Sequence, residues 1–367
     1  MKRFFLFTLC LSFSALSMAN HPDLKANFKM GNPEIQSINA LAFGPEGILF
    51  IGDAKQAQVV ALDTEDNEAA NTPEKLNFKN VDEHIAALLG TTTDAIQIRD
   101  MAINPVSKNI YLAIHTQDAT PILLRYANEK MEVVALDKVS YNEVSLQKPV
   151  AADAKDRRGR SLRQWAISDL AYQDGEVMVS GLSNEEFSSA FVRMAFPFNQ
   201  KEQLSSIEIY HAAHGRYETY APIKTFMPFD LNGEKHIVAS YTCTPLVIFP
   251  VGEMEAGKHL KGNTVAELGN RNTPLDIISY KKGEKTYLLL ANTTRALMKI
   301  DPEKVASYND FLTEKVAESS GTAGVDFIAL PMVNVQQMDK FDDEHIVFLQ
   351  RNAKGELNLF MGDTRRL

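Results

Sequence analysis

The sequence predicts an all-β ring of six like sheets, a β-propeller, and three observations carry that prediction. First, one pattern of strand, polar turn and strand recurs six times along 367 residues. Its second strands begin near Ile48, Ile110, Val177, Ile237, Leu288 and Ile346, at spacings of 62, 67, 60, 51 and 58 residues. Second, the strands are short, rich in Ile, Val, Leu, Phe and Tyr, and cut by Gly, Asn and Asp, which is β rather than helical punctuation. Third, 45% apolar and 23% charged residues are the balance of a folded chain. Sheets repeated radially leave only short, protected edges, so a recurring module of this size points to a closed ring. Seven blades are the alternative count.

The elements follow in chain order. Residues 1–19 read as a cleaved export signal: Lys2 and Arg3, an apolar stretch, then Ser17-Met18-Ala19 as the small-residue cleavage site. Residues 20–367 then form a single propeller domain, periplasmic or secreted. The six units are INALAF-GPEG-ILFIGD (38–53), IRDMAI-NPVSKN-IYLAIH (98–115), ISDLAY-QDGE-VMVSG (167–181), TFMPFD-LNGEK-HIVASY (225–241), LDIISY-KKGEK-TYLLLAN (275–292) and VQQMDKF-DDE-HIVFLQ (335–350). Third and fourth strands are VVALD and KLNFK for the first unit, ILLRYA and MEVVAL for the second, FVRMAF and SIEIY for the third, PLVIF and TVAEL for the fourth. The last unit has LNLFMG (357–362) and then the chain ends, one strand short. KANFKM (25–30) resembles KLNFKN (75–80), so the N-terminal strand is expected to close the last blade. Stretches 81–90 and 302–319 have helical spacing and are expected as short helices in loops.

Cleavage removes two positive charges and no acidic ones, taking the formal charge from -9 to -11. An acidic chain is a poor general partner for nucleic acid. No internal apolar run is long enough for a transmembrane anchor. Cleavage also removes Cys10 and leaves Cys243 as the one thiol, which therefore makes no internal disulfide.

The blocks INALAFGPEGILFIGD and SDLAYQDGEVMVSG resemble the blades of the NHL-repeat and senescence-marker/gluconolactonase propeller superfamily. The resemblance implies six blades. In the gluconolactonase-like branch it also implies a catalytic divalent cation held by Asn and acidic residues near the innermost strands, with Asn39 a loose match.

In such blades, the loops entering the innermost strand and those leaving the second strand share one rim. Nine arginines fall in those loops: Arg99, Arg157, Arg158, Arg160, Arg163, Arg216, Arg271, Arg295 and Arg351. Guanidinium groups pair with carboxylate or phosphate through two parallel hydrogen bonds. The competing role for each is to brace a loop. The densest chemistry is HAAHGRYETYAP (211–222), where His211 and His214 are followed by Arg216 and Glu218. HxxH presents two imidazoles to one ion, and Cys243 or His115 would supply a third ligand suited to copper, zinc or haem iron. Deeper, Asp100, Asp169 and Asp276 occupy equivalent innermost positions, with Gln337 in the sixth unit and Ala40 in the first. Rotational repetition aims them at one axis, as a Ca²⁺ or Mg²⁺ site requires; the competing role is to tie the backbone of the neighbouring blade.

No GxSxG, P-loop, CxxCH or HExxH occurs, and Trp165 is the lone tryptophan. Three functions fit. The first is an exported binding propeller whose rim, through Arg99, His115, Arg163, His211, His214, Arg216, Glu218, Cys243, Arg271 and Arg295, takes an anionic small molecule or an acidic protein surface. The second is a metal-dependent, lactonase-type hydrolase using Asp100, Asp169 and Asp276. The third is a copper or haem protein using His115, His211, His214 and Cys243.

Overall fold

Among the described residues, strand pairing forms six units of four strands arranged about a channel, the first carrying an added fifth strand and the third and fourth joined edge to edge. The computed structural model describes residues 23–69, 75–317 and 321–367. The expected signal segment lies outside the described residues. The innermost strands are Ala40–Phe43, Ile96–Ile103, Asp169–Gln173, Thr225–Leu231, Pro274–Lys282 and Val335–Lys340, and each pairs antiparallel with the strand that follows it. Second strands such as Ile48–Asp53 are buried along their whole length. That is why they read as unbroken apolar runs: both faces are covered by neighbouring sheets. A β-propeller is the architecture.

The order of units around the ring is not the order in the chain. Innermost strands touch in the cycle first, second, sixth, fifth, fourth, third and back to first. Six apolar clusters repeat this cycle, one in each seam. Phe50 of the first unit packs with Val179 of the third. Leu112 of the second packs with Leu349 of the sixth.

The route of the chain explains the permutation, and it corrects the expected closure. After the first unit's third strand, Gln58–Asp63, the chain crosses to the sixth unit. There Asn77–Phe78 pairs with Leu357–Asp363 as the missing outer strand. KLNFK therefore closes the last blade and is not the fourth strand of the first. The helix Val81–Leu89 and the second unit follow. The chain then returns as Val139–Ser145, which pairs with Gln58–Asp63 as the outer strand of the first unit. Among the described residues, the N-terminal strand Lys29–Gly31 pairs only with Val139–Ser145, adding a fifth strand to the first unit. Two similar strands compete for one edge, and the sequence similarity of 25–30 to 75–80 does not reveal which wins.

Asp66 pins this excursion. Its carboxylate accepts from Ser107 Oγ (2.8 Å), Asn109 Nδ2 (2.9 Å) and Tyr111 Oη (2.9 Å) of the second unit. Of the expected helix 302–319, the described residues are α-helical only over Pro302–Ser307, capped by Asp301, whose side chain accepts from the Glu303 N–H. Beyond Tyr308 the backbone bonds outward, with Leu312 N–H donating to Thr264 O and Val316 N–H to Ala212 O. Tertiary hydrogen bonds replace the helical ones, overriding local periodicity.

Candidate functional site

Six equivalent innermost positions make the waist of the channel: Ala40, Asp100, Asp169, Thr225, Asp276 and Gln337. A cavity of about 510 Å³ opens on the side where the innermost strands begin, and one of about 710 Å³ on the other. Asp100, Asp169, Thr225 and Asp276 line both. Each aspartate accepts a backbone N–H of the next blade: Asp100 from Leu41 (2.6 Å), Asp169 from Phe226 (2.9 Å) and Asp276 from Met338 (2.7 Å). Asp100 and Asp169 use their second oxygen on the N–H of Met101 and Leu170. The repeated aspartate thus ties blade to blade. Burial raises all three carboxyls, Asp169 to about 7 and the other two well above the usual carboxylate range; neighbouring aspartates raise Asp100 and Asp276 further.

One residue above the waist stand Asn39, Arg99, Ser168, Lys224, Leu275 and Gln336, all lining the 510 Å³ cavity. Three of them mark register shifts in their strand pairs, at Arg99, Leu275 and Gln336. A bulge turns the extra residue out of the pleat, so Arg99 and Asp100 can both face the channel. Arg99 is largely buried and its Nε has no hydrogen-bond partner. Lys224 is partly buried with its Nζ 3.2 Å from the Trp165 ring centroid. Burial, aided by the charges of Arg160 and Arg99, lowers Lys224 to about 8. Among the described residues neither Arg99 nor Lys224 forms an ion pair, whereas Arg351 in the same cavity is neutralised by Asp82 at 2.9 Å. Gln97, Gln337 and the hydroxyls of Thr93, Thr273 and Thr293 complete a polar lining.

Of the ten rim residues singled out from sequence, Arg99 lines this cavity and the other nine do not. Arg163 braces loops through the carbonyls of Lys55 (3.1 Å) and Val150 (2.7 Å). Arg160 pairs with Asp156, and Arg216 with Glu218 and Tyr220 Oη. Arg295 packs under Gly269, and Arg271 lies at a left-handed position with φ 56°. His115 accepts the Ile38 N–H at Nε2 (3.0 Å); burial and the charge of Arg99 lower it to about 4, so it is neutral. Lys224 and the Trp165 face escaped the sequence reading because arginine, not lysine, shows the loop bias. The recoverable signal was position: Lys224 directly precedes an innermost strand, as Arg99 precedes Asp100.

The second constellation sits on the seam between the third and fourth units. His211 ends the strand Gln203–His211, which pairs with Arg216–Glu218, bringing Glu218 beneath both imidazoles. Glu218 accepts from His211 Nδ1 (3.1 Å) and His214 Nδ1 (2.7 Å). Burial disfavours its charge, but the hydrogen bonds and charge of the two histidines outweigh that and lower it to about 2. His211, His214 and Cys243 have ligand atoms within 4.8 Å of one another. His115 is not part of this group.

No protein-family model matches the chain, and no curated protein matches it. Among solved structures it is similar to YCF48 from Cyanidioschyzon merolae, at 10% identity and TM-score 0.42 over 91% of this chain and 98% of that one. It is similar to domains 1–2 of Drosophila Semaphorin 1b, at 10% identity and TM-score 0.36 over 92% and 85%. A putative glucose dehydrogenase from Thermus thermophilus is similar at 10% identity and TM-score 0.36 over 91% and 100%. The β-propeller assignment rests on the strand pairing above, and the narrower NHL or gluconolactonase-like resemblance gains nothing from these structures.

Proposed function

We propose that this chain is a binding propeller, exported by its N-terminal segment, that captures an anionic small molecule in the upper mouth of its channel. One observation carries the reading: Arg99 and Lys224 share a recessed cavity, and among the described residues neither forms an ion pair there. Two unneutralised cations in a partly dehydrated site repel each other and lose hydration, a cost that an anion would offset. A cavity of about 510 Å³ suits a small ligand better than a flat protein surface. A guanidinium with a free Nε suits carboxylate or phosphate.

Titration calorimetry at low ionic strength tests this with citrate, gluconate and inorganic phosphate, using glucose and spermine as neutral and cationic controls. At least one anion should bind at one site, more weakly as salt rises. Arg99→Gln should weaken it by about tenfold or more, the worth of a charge-assisted hydrogen bond. Binding confined to neutral or cationic ligands, or an Arg99→Gln protein with undiminished affinity, would overturn the reading.

A further inference from the structure

We propose that His211, His214 and Cys243 form a binding site for a single transition-metal ion of the zinc or copper class, separate from the channel cavity. Neither imidazole nor the thiol lines that cavity. The Glu218 carboxyl oxygens lie within hydrogen-bond distance of both Nδ1 atoms, at 3.1 and 2.7 Å, so each imidazole is held through Nδ1 and has its Nε2 on the other side of the ring. A carboxyl holding one ring nitrogen while the other is left for an ion is the carboxylate–histidine arrangement that orients metal ligands. His211 is 1% exposed and its Nε2 has no hydrogen-bond partner. A buried, correctly oriented and unused lone pair is what a ligand atom looks like before the ion arrives.

The thiol reaches the same point through an unusual backbone. Cys243 and Thr244 are consecutive left-handed residues, with φ 69° and 57°. Non-glycine residues rarely adopt that conformation and need surrounding structure to hold them there. Cys243 N–H donates to Asn272 O at 2.7 Å and Thr244 Oγ1 to Gly269 O at 2.8 Å, which fixes the loop. Ligand atoms around a tetrahedral zinc lie roughly 3.5 Å apart. The 4.8 Å spread therefore closes with side-chain movement of about 1 Å. Glu267, whose Oε1 is 4.0 Å from His211 Nε2 and whose Oε2 is buried without a hydrogen bond, stands next to the open side. Two nitrogens and a sulfur select borderline and soft ions over Ca²⁺ or Mg²⁺. Binding converts the thiol to thiolate and releases its proton to solvent.

The test uses the full-length protein, reduced and stripped of metal, dialysed against Zn²⁺, Cu⁺ or Co²⁺, with Ca²⁺ and Mg²⁺ as controls. One Zn²⁺ or Cu⁺ should be retained per chain and no Ca²⁺ or Mg²⁺, and the Co²⁺ form should show sulfur-to-metal charge-transfer absorption. Cys243→Ser should abolish that absorption, and Glu218→Gln should weaken Zn²⁺ binding about 10- to 100-fold. His214→Gln, at a partly exposed position, provides a second ligand deletion, and circular dichroism verifies the fold of each variant. Retention near zero for both Zn²⁺ and Cu⁺, or retention unchanged in folded Cys243→Ser and His214→Gln, would show a purely hydrogen-bonded cluster and overturn the proposal. Neither result bears on anion capture in the channel.

Discussion

Replacing Lys224 with methionine keeps an unbranched side chain against Trp165 and removes the charge. In the folded protein the ammonium titrates near 8 instead of its ordinary 10.5, because it is buried and faces Arg160 and Arg99. That difference corresponds to about 3 kcal/mol against the charged form at neutral pH. The Trp165 face, 3.2 Å away, returns about 1–2 kcal/mol. Lys224→Met should therefore stabilise the ligand-free protein by about 1–2 kcal/mol at pH 7 while weakening anion capture. The pH dependence identifies the cause. Between pH 8 and 10.5 the unfolded chain keeps the Lys224 proton and the folded chain sheds it, so wild-type stability rises with pH in that window. The variant lacks this term, and its advantage should vanish by about pH 10.5. Urea denaturation of both proteins at pH 7, 8.5 and 10 measures the difference directly. A variant less stable than wild type at pH 7, or a gap that does not shrink with pH, would refute the reasoning.

Two further substitutions probe the frame. Asp66→Ala removes the acceptor shared by Ser107, Asn109 and Tyr111, taking from the buried Tyr111 O–H the carboxylate it donates to. Denaturation should show a loss of about 3 kcal/mol, and a loss under about 0.5 kcal/mol would mean the second unit is held without this latch. A Cβ on Gly181 would stand 2.2 Å from Ala166 O and 2.9 Å from Trp165 O. Gly181→Ala should cost about 2–3 kcal/mol and, by displacing the loop that carries Trp165, quench or shift the fluorescence of the lone tryptophan; an unchanged spectrum with unchanged stability refutes that contact.

What the sequence determined by itself is what depends on neighbours in the chain. Strand identity, unit size and the waist aspartates were legible, because a buried strand needs a run of apolar residues and each blade repeats the same local problem. The grouping of His211, His214 and Glu218 was also legible, since a tight turn and one strand pair bring them together. The fate of the arginines was not. Loop sequence places Arg163 or Arg216 near a rim, but whether a guanidinium points into a cavity or is consumed by Val150 O or Glu218 depends on residues far along the chain. Lys224 was missed because its role comes from confinement beside Arg99, which lies in another unit. The permuted ring is the clearest case. Asn77–Phe78 and Lys29–Gly31 offer similar strands to unpaired sheet edges. Backbone hydrogen bonding is indifferent to side-chain identity at an edge, so only the packing of whole sheets decided which strand closes which blade.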